Sequence, residues 1–325
     1  MNIASTKSAA AEILDFADGI SAIDTGFFRP RFDASHLIIE NGHAAFIDVG
    51  TNHSIPRLLA ALTEKHVPVD AVDFVILTHV HLDHAGGAGA LMRELPRARL
   101  IVHPRGARHM IDPAQLVAGA TDVYGAEEIE RSYGTLIPVD AARVDIADDG
   151  HVIDLAGRAL LCLDTPGHAR HHISIYDARS NAFFPGDTFG LSYREFDTQN
   201  GAFILPTTTP VQFDPAALHA SIDRMLGYAP QQMFPTHYSR VANVEKLAGD
   251  LHECIDALVA LARAHADDEQ RHDRIVESMA EFFIARARAH GCTFGDARIR
   301  ELLSMDLELN TQGLEVWLDR SATAH

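Results

Sequence analysis

The 325-residue sequence predicts an α/β fold in which two sheets pack face to face with helices outside, followed by a C-terminal helical region. Segments of β-strand character alternate first with helical patterns and later with one another, which points to two sheets. A hairpin signal, Asn41-Gly42, lies between two such segments and fits poorly in a doubly wound parallel sheet. From about Val241 the pattern is helical to the end of the chain.

Taken in order, a short N-terminal helix or tail precedes strands in "GISAIDTGFF" and "SHLIIENGHAAFIDVG". The hairpin joins Leu37–Glu40 to a strand running from about Ala44 to Asp48. A helix follows in "IPRLLAALTEKH", then a strand over Phe74–Thr78, then a helix in "GALMRELP" that Pro96 ends. "ARLIVHP" reads as a strand and "RGARHMIDP" as a short helix. A helical, polar stretch to Ser132 leads into strands within "ALLCLDTPGHARHHISIYDARSNAFFPGDTF". Beyond it, Val244, Leu247, Leu251, Ile255 and Leu258 recur at helical spacing, as do Ile275, Met279, Phe282 and Phe283. "ARIRELLSMDLELNTQGLEVWLDR" supplies one or two more helices.

The net charge of −18 argues against a nucleic-acid partner, whose phosphates need a basic footprint, and disfavours an anionic membrane surface. No apolar run is long enough to span a bilayer, and the N-terminus lacks the pattern of a secretory signal. Cys162, Cys254 and Cys292 are odd in number and far apart, which fits reduced thiols in a cytoplasm. None lies beside a ligand motif, so they read as packing residues.

The chemistry concentrates in "FVILTHVHLDHAGG", Phe74 to Gly87. An apolar strand ends at four potential metal ligands within six positions, His79, His81, Asp83 and His84. Imidazole and carboxylate without thiolate suit zinc and, nearly as well, iron or manganese. Packing alone gives no reason for such a cluster, because each group is costly to desolvate without a partner.

The motif T-H-x-H-x-D-H after a hydrophobic strand resembles that of the metallo-β-lactamase-fold hydrolases, in particular the dinuclear lactonase and glyoxalase II-like branch. The resemblance implies an αββα sandwich and covers roughly residues 18–240, leaving 241–325 as the helical appendage. It also implies three further ligands at strand ends downstream: His168 in "TPGHARHH", Asp187 in "AFFPGDTF" and His237 in "QMFPTHYS". By position in the family, His79, His81 and His168 would hold one metal. Asp83, His84 and His237 would hold another, with Asp187 bridging. Two Zn2+ ions per chain are expected, with iron or manganese as alternatives. They would share a metal-bridging hydroxide as nucleophile, and Asp83 would orient it and move its proton. Asp48 either steadies the histidine loop, as an acidic residue does in the family, or serves as a cap or turn residue. His103, His109, His171 and His172 are read as ordinary histidines, one of the last two standing behind the ligands.

The segment Thr188–Phe213 starts directly after a ligand and should border the pocket. Phe189, Leu191, Tyr193, Phe196 and Phe203 would line or cover it, or else fill ordinary core. Tyr193 and Arg194 would be its best polar contacts. Tyr193 resembles the lactonase tyrosine that assists at the substrate carbonyl, and Tyr238 is the competing candidate. The implied activity is hydrolysis of a small ester, thioester or lactone with an uncharged or apolar acyl part. The alternatives are a mononuclear iron persulfide dioxygenase, another oxygen-handling enzyme, or a metal-binding regulator. The apolar faces of the tail must pack on the sandwich, on a second copy in a homodimer, or over the pocket as a lid shared with Thr188–Phe213.

Overall fold

A computed structural model of the chain describes residues 12–323, apart from the side chains of residues 123 and 124. The expected N-terminal helix or tail falls largely outside them, and the described part opens on an edge strand. The first sheet has seven strands in chain order: β1 (Ile13–Asp15), β2 (Ile20–Asp24), β3 (Ala34–Glu40), β4 (His43–Ile47), β5 (Val72–Ile76), β6 (Arg99–Val102) and β7 (Val144–Ile146). It is antiparallel from β1 to β4 and parallel from β4 to β7. The second sheet runs in the order β12 (Gln232–Met233), β11 (Ala182–Phe184), β10 (Ile173–Asp177), β9 (Arg158–Asp164) and β8 (Val152–Leu155). Strands β7 and β8, three and four residues long, were not anticipated.

Side-chain alternation assigns each face of the sheets. From the first sheet, Ile38, Ala45, Ile47, Ile76 and Ile101 meet Leu160, Cys162, Ile173, Ile175 and Phe184 of the second in one buried cluster. On the opposite face Leu37, Phe46, Val75 and Leu100 pack under the helices Ile55–Glu64, Ala88–Glu94 and Pro104–Ile111. The outer face of the second sheet, through Leu163, Phe183 and Met233, carries the helix Pro215–Leu226 and the C-terminal helices. The result is the αββα arrangement. The Asn41-Gly42 turn joins Glu40 to its partner His43, with both turn residues at positive φ (49° and 81°), as a two-residue hairpin of this hand requires.

The tail forms helices Val244–Ala264, Arg271–Ala289, Asp296–Leu302 and Ser304–Ala322. Val244, Leu247, Leu251, Ile255, Leu258, Ile275, Met279 and Phe283 are buried as their spacing requires. They share one cluster with Leu163 and Phe183 of the sheet and with Phe189, Leu191, Phe196 and Phe203 of the Thr188–Phe213 segment. The last helix is locked to that segment. Asn310 Oδ1 accepts from the Thr208 N–H (2.6 Å), and Asn310 Nδ2 donates to the Pro206 carbonyl (3.2 Å). Gly313 lies so close that a Cβ there would stand 1.5 Å from the Thr208 carbonyl oxygen. Among the described residues, no helix is long and apolar enough to cross a membrane.

Candidate metal centre

Strand β5 delivers the histidine loop to the sheet edge. Leu77 still donates to the Ile101 carbonyl at 2.9 Å, and the chain then turns through His79 and His81 into the short helix Leu82–Ala85. Asp48, fully buried at the end of β4, fixes this turn. Its carboxylate accepts from Thr78 N–H (2.8 Å), Thr78 Oγ1 (2.8 Å to Oδ2), Thr236 Oγ1 (2.9 Å) and His84 Nδ1 (2.7 Å). Of the two roles open to Asp48, steadying the ligands is therefore the one that its contacts describe; it caps no helix.

The structure brings all seven expected ligand residues together. Donor atoms fall into three overlapping groups, His79/His81/His168, His79/His84/Asp187 and Asp83/His84/His237, each within 4.8 Å. His81 Nδ1 lies 2.9 Å from His79 Nε2 and 3.0 Å from His168 Nε2. The two Asp187 oxygens face opposite sides: Oδ2 is 3.5 Å from His168 Nε2, while Oδ1 is 3.2 Å from His84 Nε2 and 3.8 Å from His237 Nε2. Asp83 Oδ2 stands 3.4 Å from His237 Nε2 and 3.8 Å from His84 Nε2.

Outer ring nitrogens are turned to the protein. His84 Nδ1 faces Asp48, His237 Nδ1 donates to the Phe32 carbonyl (2.9 Å) and His168 Nδ1 to the Thr207 carbonyl (3.4 Å). These contacts set the tautomer and leave each Nε2 free for a cation. Behind the ligands, the Asp187 N–H donates to His172 Nε2 (3.2 Å) and the His172 ring stacks on His79. His171 lines the cavity, as does His109, while His103 Nδ1 accepts from the Arg105 N–H at a helix start.

The donor set fits divalent metal. His84 Nε2 and Asp187 Oδ1 are buried 3.2 Å apart without a well-directed hydrogen bond to each other or to any other described group, an arrangement a protein rarely keeps without a cation. Burial, with neighbouring His168 adding to it, pulls His81 down to about 3, and burial likewise lowers His79 and His168. At Asp83 burial opposes ionisation, but His84 and His237 outweigh it and bring the carboxyl down to about 2. Burial also opposes charge on His237, yet Asp187 and Asp83 raise it to about 9. The carboxylates thus demand positive charge at the cluster, which metal ions supply as the imidazoles lose their protons.

A cavity of about 270 Å3 opens on His81, Asp83 and Asp187, walled by Phe27, Leu116, Tyr133, Val211, Met305 and Leu309. Among the described residues, no lysine or arginine lines it. A larger groove of about 960 Å3 shares Phe27, Tyr133, Met305 and Leu309 with it and carries Arg57, Glu128 and Arg131.

Several expected substrate contacts are corrected. Tyr193 is fully buried and its hydroxyl donates to Asp306 at 3.0 Å, away from the cavity lining. Tyr238 is also fully buried, against Ala22 and Ala34, and does not line the cavity. Arg194 donates to the Ser192 carbonyl, and Phe189, Leu191, Phe196 and Phe203 are core. The reason is the bridge between Leu191 and Leu205, which folds this part of the segment back under the tail helices. Only its end, Thr209 to Gln212, reaches the cavity. Sequence reasoning missed Phe27, Leu116, Tyr133, Met305 and Leu309, whose apolar character is the same as that of core. It also missed Thr78 and Thr236, though each directly precedes a ligand histidine, a repetition that was available as a signal.

Residues 29–237 match the sequence model of the Metallo-beta-lactamase superfamily. The metallo-beta-lactamase fold-containing protein ST1585 of Sulfurisphaera tokodaii is 29% identical over 198 residues, 59% of this chain and 68% of its own length. The crystal structure of the archaeal superfamily protein ST1585 from Sulfolobus tokodaii superposes with a TM-score of 0.64 at 22% identity, over 92% of this chain and 99% of that one. A hydroxyacylglutathione hydrolase of Aeromonas hydrophila is 28% identical over 198 residues, 60% of this chain and 58% of that enzyme. The chain thus spans little more than half the length of that hydrolase. The chemotaxis sensor ODP of T. denticola, in its peroxy diiron species, superposes with a TM-score of 0.53 at 16% identity, over 75% of this chain and 94% of that chain. By the family match and by its αββα fold with the donors gathered at one sheet edge, the chain belongs to the metallo-beta-lactamase superfamily.

Proposed function

We propose that the protein is a dinuclear, zinc-dependent hydrolase of a small ester, thioester or lactone with an uncharged acyl part. The observation that carries this reading is the convergence of seven imidazole and carboxylate donors beside a cavity that, among the described residues, no lysine or arginine lines. His79, His81 and His168 would hold one cation, and Asp83, His84 and His237 the other, with Asp187 between them. Divalent cations held by these residues would supply an acidified water and Lewis-acid polarisation of a carbonyl oxygen. Asp83, ionised and partly open to the cavity, orients the attacking water and accepts its proton. Phe27, Leu116, Met305 and Leu309 enclose the acyl part and exclude bulk water. The leaving group extends into the adjoining polar groove. The hydroxyacylglutathione hydrolase relative supports thioester cleavage. The buried, free thiols of Cys162 and Cys254 are in keeping with a reducing cytoplasm.

A second reading is oxygen chemistry at iron, favoured by the likeness to the diiron sensor and by a donor set that iron also accepts. Metal analysis of protein produced without added metal, followed by assay against lactones, thioesters and persulfides, separates the two. Two zinc ions with turnover of an uncharged ester, thioester or lactone are expected. Iron that persists when zinc is supplied, with oxygen consumption on a persulfide, overturns the hydrolase reading. A protein that binds metal but turns over nothing in the panel points to a regulator.

A further inference from the structure

Outside the centre, two helices carry the same spacing of metal-binding residues. The helix Pro215–Leu226 contains His219-Ala-Ser-Ile-Asp223, and the tail helix Val244–Ala264 contains His252-Glu-Cys-Ile-Asp256. In each, the His and the Asp stand at i and i+4, one above the other on a single helix face. The helices pack so that the sets cross. His219 Nδ1 meets His252 Nδ1 at 2.5 Å, with the ring planes 14° apart. His219 Nε2 lies 3.2 Å from Asp256 Oδ1, and His252 Nε2 lies 3.2 Å from Asp223 Oδ1.

Proton counting makes this arrangement informative. His219 Nε2 is hydrogen-bonded to Asp256, and a carboxylate accepts only, so that nitrogen carries the proton and His219 Nδ1 presents a lone pair. With the His252 proton likewise turned to Asp223, the two Nδ1 atoms present lone pairs to each other at 2.5 Å, which is repulsive. A single cation between them resolves the conflict. Asp256 and Asp223 are 79% and 69% exposed and stay hydrated, so a shared proton and a divalent ion are the two cations to be told apart, and the pairing of each ring with a carboxylate favours the metal. An imidazole that binds metal through one nitrogen and donates from the other to a carboxylate is the usual arrangement of metal-ligating histidines.

We propose that His219 and His252 form a second, inter-helix site for a divalent transition-metal ion such as zinc, through their Nδ1 atoms, with Asp256 and Asp223 orienting the rings. Bonds of about 2.0–2.1 Å require the two nitrogens to part by roughly 1 Å. Both histidine side chains are 26% exposed, which leaves them room to move. Water completes the coordination. The ion ties the sandwich to the tail at a place separate from the seven-donor centre, so the proposal does not rest on the function assigned above.

The test uses the full chain and zinc alone. Wild type, His252→Ala, His252→Gln and Asp223→Asn are dialysed against buffered free zinc, and bound zinc is measured by mass spectrometry. Wild type is expected to hold one equivalent per chain more than either His252 variant. Asp223→Asn should bind that equivalent about 10- to 100-fold more weakly. Zinc should raise the Tm of wild type beyond that of the glutamine variant, whose amide keeps a donor toward Asp223. Equal zinc content in wild type and both His252 variants overturns the site. So does a zinc-induced rise in Tm that is no larger in wild type than in the glutamine variant, because the pair then shares only a proton.

Discussion

Asp48 Oδ2 and His84 Nδ1 lie 2.7 Å apart in a fully buried contact, and the same carboxylate also ties down the threonines preceding His79 and His237. One residue thus positions ligands from two distant loops. Asp48→Asn tests this without backbone cost, since asparagine also tolerates the positive φ of 52° found here. The variant is expected to fold but to bind metal about 10- to 100-fold more weakly, measured by chelator competition. Unchanged affinity would remove Asp48 from the support of the centre.

Asp83 is, with His81 and Asp187, one of the donors that open on the cavity. Asp83→Asn should retain the fold, by circular dichroism, and lose about 10²–10⁴-fold in turnover of an activated ester. Near-normal turnover at full metal occupancy would mean that another group handles the proton.

Burial raises the Asp306 carboxyl from 3.8 to about 6, which the Tyr193 hydroxyl only partly offsets, and its Oδ2 has no partner. The folded state therefore holds this proton more tightly than the unfolded chain. Its stabilising contribution is complete below pH 3.8 and is lost as pH rises through about 6. Asp306→Asn still accepts from Tyr193 and carries no charge. Denaturant unfolding at pH 7.5 should find the variant more stable, by up to about 3 kcal/mol, and the two proteins should converge near pH 4. A variant less stable at both pH values would contradict this.

Met305 and Leu309 bring the tail to the cavity wall. Removing the tail is not the way to test its role, because Phe189, Leu191, Phe196 and Phe203 would lose their cover. At about 1.5–3 kcal/mol for each, that loss rivals the stability of a whole domain. Met305→Ala with Leu309→Ala instead widens the wall. Its preference across esters of increasing acyl length should shift toward longer chains, with turnover of a small activated ester retained. An identical profile would assign the tail to packing alone.

The ligand cluster was legible because it is local: a buried strand and four donors lie within one short stretch, from Phe74 to His84. His168, Asp187 and His237 stand singly in turns, and only the family pattern draws attention to them. The layering was legible from periodicity, except for β1, read as part of a helix or tail, and for β7 and β8, all too short to establish one. The cavity walls were not legible. They assemble from the loop after β2, the helices between β6 and β7, the end of the Thr188–Phe213 segment and the last helix. Each contributes apolar side chains that look like core until tertiary contacts place them. The aromatics after Asp187 mislead for the converse reason, because the tail's own apolar faces needed partners and took them.

The seating of Gly313 against the Thr208 carbonyl sets where the chain tolerates changes in length. With Asn310 it indexes the final helix to the segment beside it, so the spacing from Met305 to Gly313 is fixed to within one residue. Adding or deleting a residue there would rotate Met305 and Leu309 about 100° around the helix, off the cavity. The joint at 290–295 is also tied to that segment, because the His290 carbonyl accepts from Thr198 Oγ1 (2.8 Å) and Asn200 Nδ2 (2.9 Å), whereas the side-chain hydrogen bonds at 265–270 stay within the tail. The two kinds of position predict where natural tails of different length insert their extra residues: at 265–270, never within the first three turns of the last helix.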